Sequence, residues 1–189
     1  MNIFRSLSML LCLWTTAVAA DDLGPEIGTV IPHELRVSDQ DGVTQDFSSL
    51  TGKNGLVLVF VRSAKWCPYC KNQLKTLQEE AYQGIKGRGY NLVSISYDSV
   101  KVLTDFSYKT KIKYPMLSDE GSAIIKAFGV LNDDYKPDSR MYGIPRPIII
   151  VTDASGVIKA KLYEEGYKNR PAPEVILDTL ASFDSGADD

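Results

Sequence analysis

Leu56-Val57-Leu58-Val59-Phe60-Val61, with Trp66-Cys67-Pro68-Tyr69-Cys70 close behind it, is a strand handing on to a helix. The first run is unbroken aliphatic and aromatic, the pattern of a strand buried on both faces. In the second, proline suits the first helical position, where a missing N–H costs nothing, so Cys67 falls at the N-cap. Leu74, Leu77 and Ala81 then give an apolar stripe, and Gly84, Gly87 and Gly89 are expected to end the helix.

Outward from this pair, strands and helices alternate. Upstream, Asp39-Gln40-Asp41-Gly42 predicts a hairpin turn between Leu35-Arg36-Val37 and Val43-Thr44-Gln45. Downstream, Asn91 to Ile95 reads as a buried strand and Ser99 as the cap of a helix from Val100 to about Lys109. Tyr114 to Asp119 is extended and turn-like, Ala123 to Phe128 a short helix stopped at Gly129, and Leu131 to Tyr142 a polar surface loop. Pro147 leads into Ile148-Ile149-Ile150-Val151, a further core strand. Asp153-Ala154-Ser155-Gly156 turns the chain into Val157 to Tyr163, and Pro173 opens a closing helix. The alternation predicts an α/β sheet covered on both faces.

The first residues have the three parts of an export signal: Arg5, an apolar run from about Leu7 to Val18, and an Ala17-Val18-Ala19 cleavage site. The run is short of the ~20 residues a spanning helix needs, and no later segment is long and apolar enough to cross a bilayer. The expected organisation is a signal peptide over 1–19, one domain over 20–183 and a disordered tail over 184–189. With 21 Lys and Arg against 24 Asp and Glu, the formal net charge of −3 gives no electrostatic reason to expect nucleic acid or a membrane surface as partner. Export implies an oxidising compartment, with the bacterial periplasm as the expected setting.

Of three cysteines, Cys12 leaves with the signal, so the mature domain holds only Cys67 and Cys70. A bridge over so short a gap removes little chain entropy and stabilises a fold weakly. The spacing therefore favours chemistry over stapling. A thiolate at a helix N-terminus is stabilised by unpaired backbone N–H groups and the helix dipole. Cys70, one turn along the same face, can resolve a mixed disulfide or a sulfenic acid. Trp66 can shield one side of the pair. A closed zinc site needs four ligands, and the only other obvious candidate is the single histidine, His33, expected in a loop with no chemical role. No metal and no cofactor is expected.

The strand at 56–61 leading into WCPYC, the stretch YPMLSDEGSAIIKAFGV at 114–130 and RPIIIVTDASGVI at 146–158 together resemble the thioredoxin superfamily. More specifically, they resemble its peroxiredoxin-like branch, the alkyl hydroperoxide reductase and thiol-specific antioxidant family, over roughly Gly24 to Phe183. The resemblance implies a thioredoxin-like fold: a central mixed β-sheet with helices on both faces and an N-terminal β-hairpin extension. Laid on the peroxiredoxin pattern P-x-x-x-T-x-x-C, the attacking cysteine is Cys70, while Cys67 takes the threonine position and Ser63 the proline position. Gln73 stands where many peroxiredoxins have a glutamate. Arg146 lies one place before the position expected for the activating arginine. Pro147 occupies that position and matches the cis-proline of thioredoxins.

The site is thus expected to hold Cys67 and Cys70 as catalytic residues, supported by Trp66, Pro68, Arg146 and Pro147, with Arg62 as a further residue that can face it. By thioredoxin geometry Cys67 attacks and Cys70 resolves; by the peroxiredoxin pattern the roles reverse. Exposure at the N-cap favours Cys67. Three activities follow. The first is reduction of a hydroperoxide through a Cys67/Cys70 dithiol–disulfide cycle, with recycling by an external thiol reductant. The second is thiol–disulfide exchange with protein disulfides. The third, a copper-binding assembly factor, lacks the usual C-x-x-x-C spacing and distal histidine.

Overall fold

The computed structural model describes residues 23–185. The signal read over 1–19, with Cys12 and Trp14 inside it, lies outside the described residues, as do 186–189 of the expected tail. Asp184 and Ser185, expected in that tail, instead continue the last helix.

The run around Val57 is the centre strand, β3 (Gly55–Phe60), and every residue of it is buried. It pairs in parallel with β4 (Tyr90–Ser96) and antiparallel with β6 (Ile148–Asp153), so Leu58 faces Val93 on one side and Ile150 on the other. β5 (Met116–Ser118) extends the parallel side through Ser94–Met116 pairing. β7 (Ile158–Leu162) extends the antiparallel side, which yields one mixed sheet in the order β5-β4-β3-β6-β7. The segment expected only as extended and turn-like, 114–119, supplies β5.

Because side chains alternate across a strand, β3 feeds two cores. Val57, Val59 and Val61 join Leu74, Leu77, Ile85, Leu103, Ile176 and Leu180, and thus α2 (Pro68–Thr76), α3 (Tyr82–Gly87), α4 (Val100–Thr110) and α6 (Pro173–Ser185). Leu56, Leu58 and Phe60 join Leu35, Leu50, and Ile124 and Ile125 of α5 (Ala123–Ala127), with Phe60 and Phe128 tilted at 5.1 Å between ring centroids. Both cysteines belong to the first core.

The two-stranded extension forms as its turn residues require. β1 (Val37–Ser38) pairs antiparallel with β2 (Thr44–Gln45). The Asp39 carboxylate accepts from the N–H groups of Asp41 and Val43, and Gly42 takes φ 77°. α1 (Phe47–Leu50) follows, capped by Asp46 in a capping box with Ser49.

Three expectations need correction. The active-site helix does not run evenly to its glycines: after Thr76 it widens into a π-turn (Leu77–Ala81) and resumes as α3. Gly84 lies inside α3 because α6 presses on it, and a Cβ there would stand 2.8 Å from Leu177 Cδ2. Ser99 occupies the N-cap of α4, but its hydroxyl makes no capping hydrogen bond. Finally, no peptide bond among the described residues is cis, so Pro147 is joined in trans. Arg146 N–H is anchored on Val130 O at 2.7 Å, and the chain enters β6 already extended. A trans-proline suits a strand start, since no ladder bond is asked of its missing N–H.

Candidate redox site

β3 ends at Phe60, and the turn 61–66 brings the chain to the N-terminus of α2. Asp98, just beyond β4, holds that turn. Its carboxylate accepts from Ser63 Oγ at 2.7 Å, Ala64 N at 2.6 Å and Ser96 Oγ at 3.0 Å. Ser63 Oγ in turn accepts from Lys65 N at 3.0 Å. Burial pushes the Asp98 carboxyl above its usual range, although Ser63, Ala64 and Ser96 all donate to its ionised form.

Cys67 stands at the N-cap of α2 with Pro68 at the first helical position, as the pattern predicts. Its Sγ accepts from Cys70 N at 3.2 Å. Cys67 and Cys70 form a disulfide, with 5.3 Å between their Cα atoms. The exposure expected of Cys67 is not there: it is 1% exposed and Cys70 0%, because Pro68 and Tyr69 form the outer surface of the turn.

The cation at the sulfurs is one the sequence reading missed. Arg170 Nη2 donates to Cys70 Sγ at 3.5 Å from 100 residues away, and Nε donates to Gln73 Oε1 at 2.9 Å. Two backbone carbonyls, Tyr167 O and Asn169 O, accept from Nη1 at 2.6 Å each and hold the guanidinium in place. Burial, and then the nearby positive charge of Arg62, lower the pKa of Arg170 to about 10, which leaves it charged at neutral pH. Nothing in the local pattern around Asn169-Arg170-Pro171 marks it; its role depends on how the loop before α6 folds back on α2.

Arg62 is 4% exposed and lies against aromatic faces, with its guanidinium carbon 4.4 Å from the Tyr167 ring centroid and 5.1 Å from that of Trp66. Nη2 donates to Tyr135 Oη at 3.2 Å, and Nε is buried without a partner. Among the described residues neither Arg62 nor Arg170 is ion-paired. The half-buried Arg170 guanidinium at Cys70 Sγ, with buried Arg62 near enough to act on Arg170, makes a site that favours negative charge, such as that of a thiolate. Trp66 donates through Nε1 to Tyr97 Oη at 2.9 Å, which fixes its ring beside the pair.

Arg146 and Pro147 line a cavity of about 440 Å³ with Tyr135, Tyr163 and Tyr167. Two of those tyrosines, Tyr135 and Tyr167, contact Arg62. On the Cys70 side, a second cavity of about 360 Å³ opens between α2 and the loop before α6, lined by Tyr69, Gln73, Leu77, Arg170 and Pro171. His33 lies in the N-terminal segment, where Nδ1 accepts from Leu35 N at 2.9 Å.

The model of the AhpC/TSA family matches residues 27–161. This chain belongs to the AhpC/TSA family. Among AhpC/TSA relatives, it is 29% identical over 154 residues to chloroplastic peroxiredoxin Q of Suaeda salsa, covering 81% of this chain and 65% of that one. It is 30% identical over 148 residues to chloroplastic peroxiredoxin Q of Sedum lineare, covering 78% and 72%. The match thus spans about two thirds of these curated relatives. Solved structures share the fold. The peroxidoxin BcpB of Mycobacterium tuberculosis superposes with a TM-score of 0.69 at 20% identity, covering 86% of this chain and 97% of that one. A cysteine-to-serine mutant of peroxiredoxin 6 of Arenicola marina gives 0.76 at 18%, covering 87% and 76%. The mixed sheet, with its N-terminal hairpin, is therefore the thioredoxin-like fold in its peroxiredoxin form. Among the described residues no helix is long and apolar enough to cross a membrane.

Proposed function

We propose that this AhpC/TSA protein is a thiol peroxidase in which Cys70 attacks the hydroperoxide and Cys67 resolves. The observation that carries the reading is the Arg170 guanidinium, 3.5 Å from Cys70 Sγ. A charge-assisted hydrogen bond from a cation favours a thiolate more than the single backbone N–H that Cys67 receives. The family and the peroxiredoxin relatives support the same chemistry.

In the reduced protein, the Cys70 thiolate attacks one oxygen of ROOH. The S–O bond forms, the O–O bond breaks, and the departing alkoxide takes up a proton to leave as ROH. Arg170 holds the thiolate before attack and offers N–H groups to the oxygens as charge shifts onto them. Cys67, as thiolate, then attacks the sulfenic sulfur of Cys70. Hydroxide leaves as water after protonation, and the Cys67–Cys70 disulfide results. An external dithiol returns the two electrons. The reading as a protein-disulfide oxidoreductase rests on the same C-x-x-C pair, without the cis-proline expected beside it.

Trp66 adjoins the pair, and it is the only tryptophan besides Trp14. Mixing reduced mature protein with hydrogen peroxide in a stopped-flow fluorimeter should give a fast Trp66 signal, far above the rate of a free thiol at the same pH. A rate no better than a free thiol, with a rapid response to a protein disulfide instead, transfers the function to disulfide exchange.

The same proposal has the domain exported by residues 1–19 into an oxidising compartment, the bacterial periplasm. Arg5, the apolar run to Val18 and Ala17-Val18-Ala19 support it. N-terminal sequencing of protein recovered from a periplasmic extract should begin just after Ala19.

A further inference from the structure

Beside the α2 N-terminus, on the other flank from Arg170, a groove of about 900 Å³ runs between α2 and α4. Lys71 and Lys75 line it from α2, Lys101 and Lys109 from α4, and Lys65 stands at its mouth next to Trp66. One acidic side chain, Asp105, lines it as well, paired with Lys101 at 3.2 Å. Among the described residues none of the other four lysines is ion-paired. The floor is apolar, from Pro68, Val102 and Phe106. Five lysines in one groove, on a chain whose formal charge is −3, is a local reversal of the overall balance.

We propose that this groove docks the thiol protein that reduces the disulfide, and that the docked surface of that partner is acidic. The inference rests on the thiol peroxidase reading for why the disulfide must be reduced, and adds the surface and the partner's chemistry. Size excludes a small thiol as the reason for the groove: Lys101 and Lys109 are separated by about 12 Å of helix, far more than a peroxide or a small dithiol spans. Position argues for a redox partner, because the groove ends at Lys65 and Pro68, which flank Cys67. A like-charged patch this close to the reacting bond concentrates an oppositely charged partner and orients it.

The exchange balances as a two-electron transfer. A partner thiolate attacks Cys67 Sγ, the Cys67–Cys70 bond breaks, and Cys70 leaves as a thiolate beside Arg170. The second partner thiol, on losing its proton, displaces Cys67 from the mixed disulfide. The protein regains its dithiol and the partner leaves as a disulfide. Since Cys67 is 1% exposed, the first turn of α2 must open for this attack. A partner gripping both α2 and α4 stays in place while it does.

The test uses the oxidised full domain and two short peptides with the same Cys-Gly-Gly-Cys centre, one flanked by glutamates and one by lysines. Reduction is followed by Trp66 fluorescence. The acidic peptide should react about tenfold faster at low salt, an advantage that about 0.5 M salt removes by screening. In Lys75→Glu/Lys109→Glu the advantage should vanish, while reduction by dithiothreitol keeps its rate. Equal rates for the two peptides overturn the proposal, as does an advantage that survives in the double variant. So does a wild-type dimer that the double variant dissolves, since a second copy then fills the groove. If the double variant misfolds, the salt series on the wild type and the milder Lys75→Gln/Lys109→Gln still decide. Failure of hydrogen peroxide to oxidise the protein sinks only the peroxidase reading, because the peptide rates are read on the disulfide itself.

Discussion

At the scale of single residues, the site depends on one cation and one buried carboxylate. Arg170→Gln keeps a donor near Cys70 but removes the charge, and a hydrogen bond to a charged group contributes roughly 1.5–3 kcal/mol. The second-order rate with hydrogen peroxide should fall about tenfold to a hundredfold in stopped-flow measurements. The Cys70 thiol pKa, followed by thiolate absorbance, should rise. Arg170→Lys should restore part of both, because it restores charge without the fork that bridges Cys70 and Gln73. Asp98→Ala strands the donors of Ser63, Ala64 and Ser96, and should cost about 2–3 kcal/mol in urea unfolding. The Asp98 carboxyl is raised in the folded state. Its contribution to stability is therefore complete below the unfolded value of 3.8 and is lost as pH rises through the folded value. Unfolding at a series of pH values should show the wild type losing stability relative to Asp98→Asn across that acidic window.

At the scale of elements, the close pairing of α3 with α6 explains a glycine inside a helix. Gly84→Leu drives a side chain into Leu177, and overpacking of this kind costs about 1–3 kcal/mol. Adding Leu177→Ala should recover much of the loss, measurable as a non-additive double-mutant cycle by thermal unfolding. Elements were well marked in the sequence where one strong rule operates. The buried runs of β3, β4 and β6, the Cys67–Pro68 helix start and the Asp39–Gly42 turn all follow from local chemistry. The π-turn, the uncapped Ser99 and the helical Asp184 do not, since each is set by what packs on the element.

At the scale of the whole molecule, the disulfide is not what holds the fold. A loop closed over so few residues removes about 2 kcal/mol of chain entropy, whereas each large apolar side chain buried in the two cores contributes about 1.5–3 kcal/mol. The reduced and oxidised proteins should therefore unfold within about 2 kcal/mol of each other in urea. That leaves the protein free to cycle between the two states without losing its fold.

From sequence alone come the α/β alternation, the N-cap thiol pair and the resemblance to the peroxiredoxin branch, because buried runs, proline at a helix start and C-x-x-C spacing act over neighbouring residues. Tertiary structure alone decided which cation meets Cys70. Arg146 lies nearest the expected motif, yet Arg170 makes the contact, because the loop before α6 folds across α2 and its carbonyls hold the guanidinium there. It also decided that Cys67 is covered, that Pro147 is trans, and that lysines from two helices share a groove. Each of these depends on groups distant in the chain meeting across a packed interface, which no local pattern encodes.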